Sequence, residues 1–235
     1  MSIAEKLSMI AENVPKVYDA GKKAEYDAFW DNYQDNGNRT NYNNGFTGYG
    51  KGWNSKNFYP KYDFKPIRAD SMFYAWEDAT LQTLDLLQRF KECNVEFDTS
   101  KATQVNQCFA YSKFTALPAI DLTSVSGIVS KLYYSCPYLE TIEKIKIHEN
   151  IGIDGWFYNN RELVNLTIEG AIGQNGFDVH WSTKLSKDSL MSIINALYDY
   201  KNSGKTYTVT FGTENLAKLT DAEKAIATQK GWTLA

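Results

Sequence analysis

The sequence predicts an α/β repeat fold (α+β): a solenoid of stacked, similar units, preceded by helices and closed by an α/β cap. Three observations within residues 97–185 carry this prediction. Phe109, Tyr133 and Phe157 stand 24 residues apart, and Thr99-Ser100 recurs at that offset as Thr123-Ser124. The words around the aromatics rhyme: Cys108-Phe109-Ala110-Tyr111-Ser112, Leu132-Tyr133-Tyr134-Ser135-Cys136 and Trp156-Phe157-Tyr158-Asn159-Asn160. An apolar ladder follows each: Phe114, Leu117, Ile120, Leu122; Leu139, Ile142, Ile145, Ile147; Leu163, Leu166, Ile168.

Each unit reads as a short extended segment plus a return. Glu143-Lys144-Ile145-Lys146-Ile147-His148 alternates polar and apolar, as a strand with one buried face does. One unit cannot bury that face alone, so neighbours stack into a continuous core, with the aromatic filling the space behind the strand. A period in the twenties with such ladders predicts a right-handed leucine-rich-repeat solenoid. The units resemble the BspA-like class of leucine-rich repeats: Phe or Tyr, a small or Cys residue, a leucine, then an Ile-rich strand. The match covers residues 97–170. A degenerate earlier unit is expected at Met72-Phe73-Tyr74-Ala75-Trp76, with an insertion or cap between, because Phe73 precedes Phe109 by 36 residues. Trp181 follows Phe157 by 24, but Phe177-Asp178-Val179 is the expected last strand.

Four regions follow in chain order. Residues 1–34 form an N-terminal helical arm. Ser2-Ile3-Ala4-Glu5 has capping-box spacing, Ile3, Leu7, Ile10 and Val14 make an apolar stripe, and Pro15, with Asn13 as cap, opens a second helix toward Gln34. Val17, Gly21, Ala24 and Ala28 give that helix a small-residue face, and Tyr18, Tyr26, Phe29, Trp30 and Tyr33 make it aromatic. The arm either caps the solenoid's open end or docks a partner or second copy. The wording from Ile10 to Trp30 is similar to the opening of prophage-encoded and mobile-element repeat proteins of gut bacteria, which implies a phage-structural or surface-recognition context.

Residues 35–68 are Asn- and aromatic-rich loops with Pro60 and Pro66 as helix breakers. Their rings either stack on sugars or plug the solenoid's edge. Residues 69–185 are the solenoid, with clear repeats over 97–170 and a short helix or degraded repeat over 69–93. Residues 186–235 are a C-terminal cap of helix, strand, helix and strand. Ser186 opens its first helix, with Leu190, Ile193, Ile194 and Leu197 on one side; Thr206–Phe211 is a strand; Thr220-Asp221-Ala222-Glu223 is a capping box; Trp232-Thr233-Leu234 closes the chain.

The 235 residues carry a net charge of −3, which leaves no basic footprint for nucleic acid. No apolar run reaches the roughly 18 residues of a membrane span, and residues 1–15 lack the pattern of a secretory leader. The expectation is cytoplasmic synthesis with a virion or cell-surface destination. Cys93, Cys108 and Cys136 form no CxxC pair and read as buried thiols. His148 and His180 have no second histidine at ligand spacing, no Gly-x-Ser-x-Gly elbow occurs, and Gly48–Gly52 and Gly170–Gly176 miss the dinucleotide spacing. The calcium-loop spacing fails at Asp31, and pairs such as Glu77 with Asp78 read as solvated surface. The sequence therefore predicts no enzyme, no catalytic residues, no cofactor and no metal.

What a solenoid offers is a concave surface. Asp121, Thr123, Glu143, Lys144, Lys146, Asn165, Thr167 and Glu169 are candidate partner-binding positions on it, with Tyr49 and Trp53 in the aromatic loops. The expected function is non-catalytic recognition of a protein or cell-surface glycan, and the resemblance implies an adhesin-like role. The alternative is a structural or accessory component of a prophage virion or other assembly, oligomeric or docked through residues 1–34.

Overall fold

The computed structural model describes residues 20–47, 53, 55–76 and 83–235, with side chains from residue 25 onward. The expected helix over residues 1–15, the start of the second at Pro15, and Val17, Tyr18, Tyr49, Glu77, Asp78 and Leu81 lie outside the described residues.

Helix α1 (Ala20–Tyr33) docks through Trp30, which is fully buried, while Ala28 of the small-residue face is exposed. Trp30 has ring centroids 5.7 Å from Phe58 and from Trp53 and 6.0 Å from Phe46. The loops after α1 thus turn their rings inward: Tyr42, Phe46, Phe58 and Phe64 are buried. Side chains pin these loops to α1. The Tyr33 hydroxyl donates to the Gly45 carbonyl at 2.9 Å, and the Gln34 amide donates to the Tyr62 carbonyl at 2.9 Å.

Strand β1 (Leu84–Asp85) runs directly into helix α2 (Leu86–Cys93). Asp85 caps it by accepting from the Gln88 N–H at 2.7 Å, satisfying one of the free donors of the first turn. Arg89 is almost buried, so its guanidinium needs partners: it donates to the Ser55 carbonyl at 3.1 Å and the Phe58 carbonyl at 2.5 Å and lies over the Tyr59 ring.

Beyond α2 come β2 (Phe114–Leu117), β3 (Ile120–Asp121), β4 (Ile128–Ser130), β5 (Thr141–Ile147), β6 (Gly152–Asp154) and β7 (Asn165–Gly170). The main sheet is parallel throughout, in the order β1-β2-β5-β3, with β7 also on β5. Buried Pro118, which has no N–H to give a ladder, falls between β2 and β3. β4 and β6 form a separate parallel pair. Gly170 ends β7 at φ +97°, and a Cβ there would lie 1.9 Å from the Ile147 carbonyl oxygen.

Helix α3 (Lys187–Ala196) starts at Ser186, whose hydroxyl accepts from the Ser189 N–H. Strand β8 (Tyr207–Val209), the short helix α4 (Thr213–Leu216), helix α5 (Asp221–Gln229) and strand β9 (Trp232–Leu234) follow, with β8 parallel to β9. Thr220 and Glu223 form the reciprocal capping box of α5.

The expected class, a right-handed leucine-rich-repeat solenoid with N-terminal helices and a C-terminal α/β cap, is corrected by this topology. Among the described residues the protein is a mainly parallel-sheet α/β fold with few helices. A repeat solenoid needs one strand and one return per fixed period, stacked in chain order. Here the offset between turns in contact is 36 residues at Asp70–Asn106, 24 at Cys136–Asn160 and 34 at Tyr198–Trp232. Among the described residues the strand that pairs with β5 is split by Pro118 into β2 and β3, and two two-stranded sheets stand outside the main one. Phe177–Val179 is not a strand but a single bridge from Asp178 to Thr210.

The 24-residue aromatics have a clear physical role. Phe46, Phe73, Phe109, Tyr133 and Phe157 stack in a buried column with centroids 5.2, 5.5, 5.7 and 5.8 Å apart. Cys108 and Cys136 lie buried beside it, and burial pushes the Cys136 thiol up to about 11.

Candidate functional site

Register brings most of the sequence-predicted positions together on the main sheet. Asp121 lies on β3, Glu143, Lys144 and Lys146 on β5, and Asn165, Thr167 and Glu169 on β7, with Thr123 just past β3. Ile142 pairs with Leu166 and Ile145 with Ile168, so Glu143 and Lys144 together oppose Thr167. That extra residue is a bulge, which re-aims the side chains around it. The Lys144 ammonium lies 2.7 Å from Glu169 and the Lys146 ammonium 3.2 Å from Asp121. Glu143 accepts from the Ala119 N–H at 3.1 Å, and the Asn165 amide donates to the Thr141 hydroxyl at 3.2 Å.

These groups hold one another. Partial burial pushes the Asp121 carboxyl up, but bonds from the Thr123 hydroxyl and amide, and then Lys146, outweigh it and keep it below the usual carboxylate range. The bond from Lys144, and then its charge, lowers Glu169. The patch is therefore a self-paired network of three carboxylates and two ammonium groups. Exposed pairs of this kind contribute about 0–1 kcal/mol each.

Trp53 is half-buried in the α1 cluster, 5.2 Å from Phe46 and 5.5 Å from Phe29 by ring centroid. His148 Nε2 donates to the Val125 carbonyl at 2.8 Å while its Nδ1 accepts from the Asn150 N–H, and His180 Nδ1 lies 2.6 Å from the Asp178 carboxylate. No group of three or more His, Cys, Asp or Glu able to hold a metal ion occurs among the described residues.

A second surface feature was not singled out from the sequence. Tyr74, Tyr111, Tyr134, Tyr158 and Trp181 form a continuous row, with centroids 5.3, 5.4, 4.7 and 5.1 Å apart. Tyr111 is 39% and Tyr158 42% exposed, and the other three are half-buried. Tyr134 and Tyr158 are stacked, and their neighbours meet them tilted or edge-on. The Lys131 ammonium lies 5.2 Å from the Tyr134 ring centroid, and the Arg161 guanidinium 5.4 Å from that of Trp181. Both distances are in cation–π range.

The backbone beneath this row is tightly held. Ala75, Tyr111, Ser135 and Asn159 share the left-handed conformation, as do Ser71, Gln107, Lys131 and Gly155. Such φ values are uncommon outside glycine and persist where surrounding bonds enforce them. Here the Ala75 N–H donates to the Ala110 carbonyl at 2.7 Å, Tyr111 to Tyr134 at 2.8 Å and Ser135 to Tyr158 at 2.7 Å. The signal for the row was present in the rhymes: Tyr74, Tyr134 and Tyr158 each directly follow a ring of the buried column.

No protein-family model, curated protein or solved structure matches this chain. No helix among the described residues is long and apolar enough to cross a membrane.

Proposed function

We propose that this protein is a non-catalytic recognition module for a protein or glycan partner. The observation that carries this reading is the row of surface rings from Tyr74 to Trp181, flanked by Lys131 and Arg161 on hydrogen-bonded backbone. Tyrosine and tryptophan supply large contact area at low conformational cost, because few torsions are frozen on binding. The charged patch on β3, β5 and β7 is the second candidate surface. Its groups are already paired, so a ligand there must displace existing ion pairs.

The alternative reading, a structural component docked through residues 1–34, draws less support. Within that segment α1 is already anchored to the body by Trp30. The test is a titration of labelled protein on whole bacterial and epithelial cells. Wild type is compared with Tyr134→Ala/Tyr158→Ala and with Lys144→Glu/Lys146→Glu. Saturable binding weakened by the ring substitutions is the expected result. Absence of saturable binding, or binding indifferent to both variants, overturns the proposal.

A further inference from the structure

We infer that the aromatic row binds an acidic polysaccharide, a polyuronate laid along the rings; this rests on the recognition reading above. Spacing is the first argument. The rungs repeat at 5.3, 5.4, 4.7 and 5.1 Å. An extended peptide advances about 3.3–3.4 Å per residue and a polyproline helix about 3.1 Å, so neither places one residue on each rung. A pyranose unit in an extended glycan has the length of about one rung.

Backbone chemistry is the second argument. A peptide that adds as a strand needs free main-chain donors and acceptors. Along this row those groups are spent between turns, as in the Tyr111-to-Tyr134 and Ser135-to-Tyr158 bonds. What remains is amphipathic: apolar ring edges, and phenolic hydroxyls that both donate and accept. The stacked Tyr134–Tyr158 pair covers the faces between its rings and leaves ring edges and hydroxyls. Ring edges carry the positive part of the quadrupole and favour anionic oxygen.

Charge is the third argument. Among the described residues, neither Lys131 nor Arg161 forms an ion pair, and both lie on rings of the row. The carboxylates nearest to them in the chain or through contacts are engaged elsewhere. Glu162 pairs with Lys184 at 2.5 Å, Asp178 with His180 at 2.6 Å, and Asp154 accepts from the Ser130 hydroxyl at 3.0 Å. The row therefore joins two unpaired cations to a repeating hydroxyl-bearing surface, which suits a sugar chain with carboxylates.

The experiment titrates the full chain with fluorescent oligogalacturonate and oligomannuronate. Neutral oligosaccharides of matching length and a polyglutamate peptide are the comparators. Saturable uronate binding is expected, weakened by salt. Tyr134→Ala/Tyr158→Ala reduces affinity about tenfold, the scale of two aromatic contacts. Lys131→Gln/Arg161→Gln, which leaves the rings in place, also weakens it and removes the salt dependence. Equal or tighter binding of the neutral sugars or the peptide, no uronate binding, or affinity unmoved by both variants overturns the inference. If cells bind through the rings while uronates do not, the glycan assignment falls and the recognition reading stands. If cell binding is absent, or ignores both the ring variant and Lys144→Glu/Lys146→Glu, both fall.

Discussion

Truncating the centre of the buried aromatic column separates a ring that holds the fold from a ring that serves the surface. Phe109 is fully buried, nearly parallel to Phe73 at 5.5 Å and to Tyr133 at 5.7 Å, with Phe97 and Phe114 edge-on. Phe109→Ala removes the ring and leaves a void between two turns of chain that cannot close without breaking their backbone bonds. Core Phe-to-Ala changes cost about 3–5 kcal/mol. For a chain of this length each kcal/mol moves the melting temperature by about 2–4 °C, so a fall of roughly 6–20 °C is expected. Tyr111 is two residues away and 39% exposed. Tyr111→Ala is expected to cost about 1 kcal/mol or less, as surface changes do. Urea titration followed by tryptophan fluorescence, with unchanged slope, reads both values. A Phe109→Ala cost below about 1 kcal/mol, or an equal cost for the two variants, would refute the assignment of column and row to different roles.

Gly170→Ala forces a Cβ to within 1.9 Å of the Ile147 carbonyl at φ +97°, so β7 must part from β5; a loss of roughly 2 kcal/mol or more is expected by urea titration, and a neutral result contradicts the register there. Acid should expose the α5 cap. The Lys187 ammonium, then the Thr220 amide, hold Glu223 down to about 2 from an ordinary 4.5. Because the folded value is the lower one, the stabilisation is complete above pH 4.5 and is lost as pH falls toward 2. The melting temperature of wild type should therefore drop more steeply over that window than that of Glu223→Gln, and parallel curves would count against the pairing.

What was legible in the sequence was local. Ser186 and Thr220 announce their helices because a hydroxyl three residues before a free N–H is a short-range device, readable without knowing the fold. The period of Phe109, Tyr133 and Phe157 correctly marks rings that meet, since turns at a constant offset must bring the same positions together. The period did not fix the class. The 36-residue spacing at Phe73 was legible, but the break at Pro118 and the separate β4–β6 and β8–β9 pairs depend on returns whose path leaves no periodic trace.

The sites follow the same division. Tyr133 and Tyr134 are the same residue type in adjacent positions, one buried and one in the surface row. Only the left-handed turns on either side decide which ring turns in. The Lys144–Glu169 pair needs the bulge in β5, which alternation alone would not place. In the loops after α1 the sequence left the rings' direction open, and Trp30 supplies the missing partner that draws them inward.

The most direct test of recognition by the aromatic row is tyrosine nitration footprinting of the protein bound to cells that it saturates, read by mass spectrometry. Tyr138 at 42% and Tyr198 at 41% exposure lie off the row and serve as internal references. Binding is expected to protect Tyr111, Tyr134 and Tyr158 while Tyr138 and Tyr198 react as in the free protein. Protection of the references with the row still reactive would contradict it.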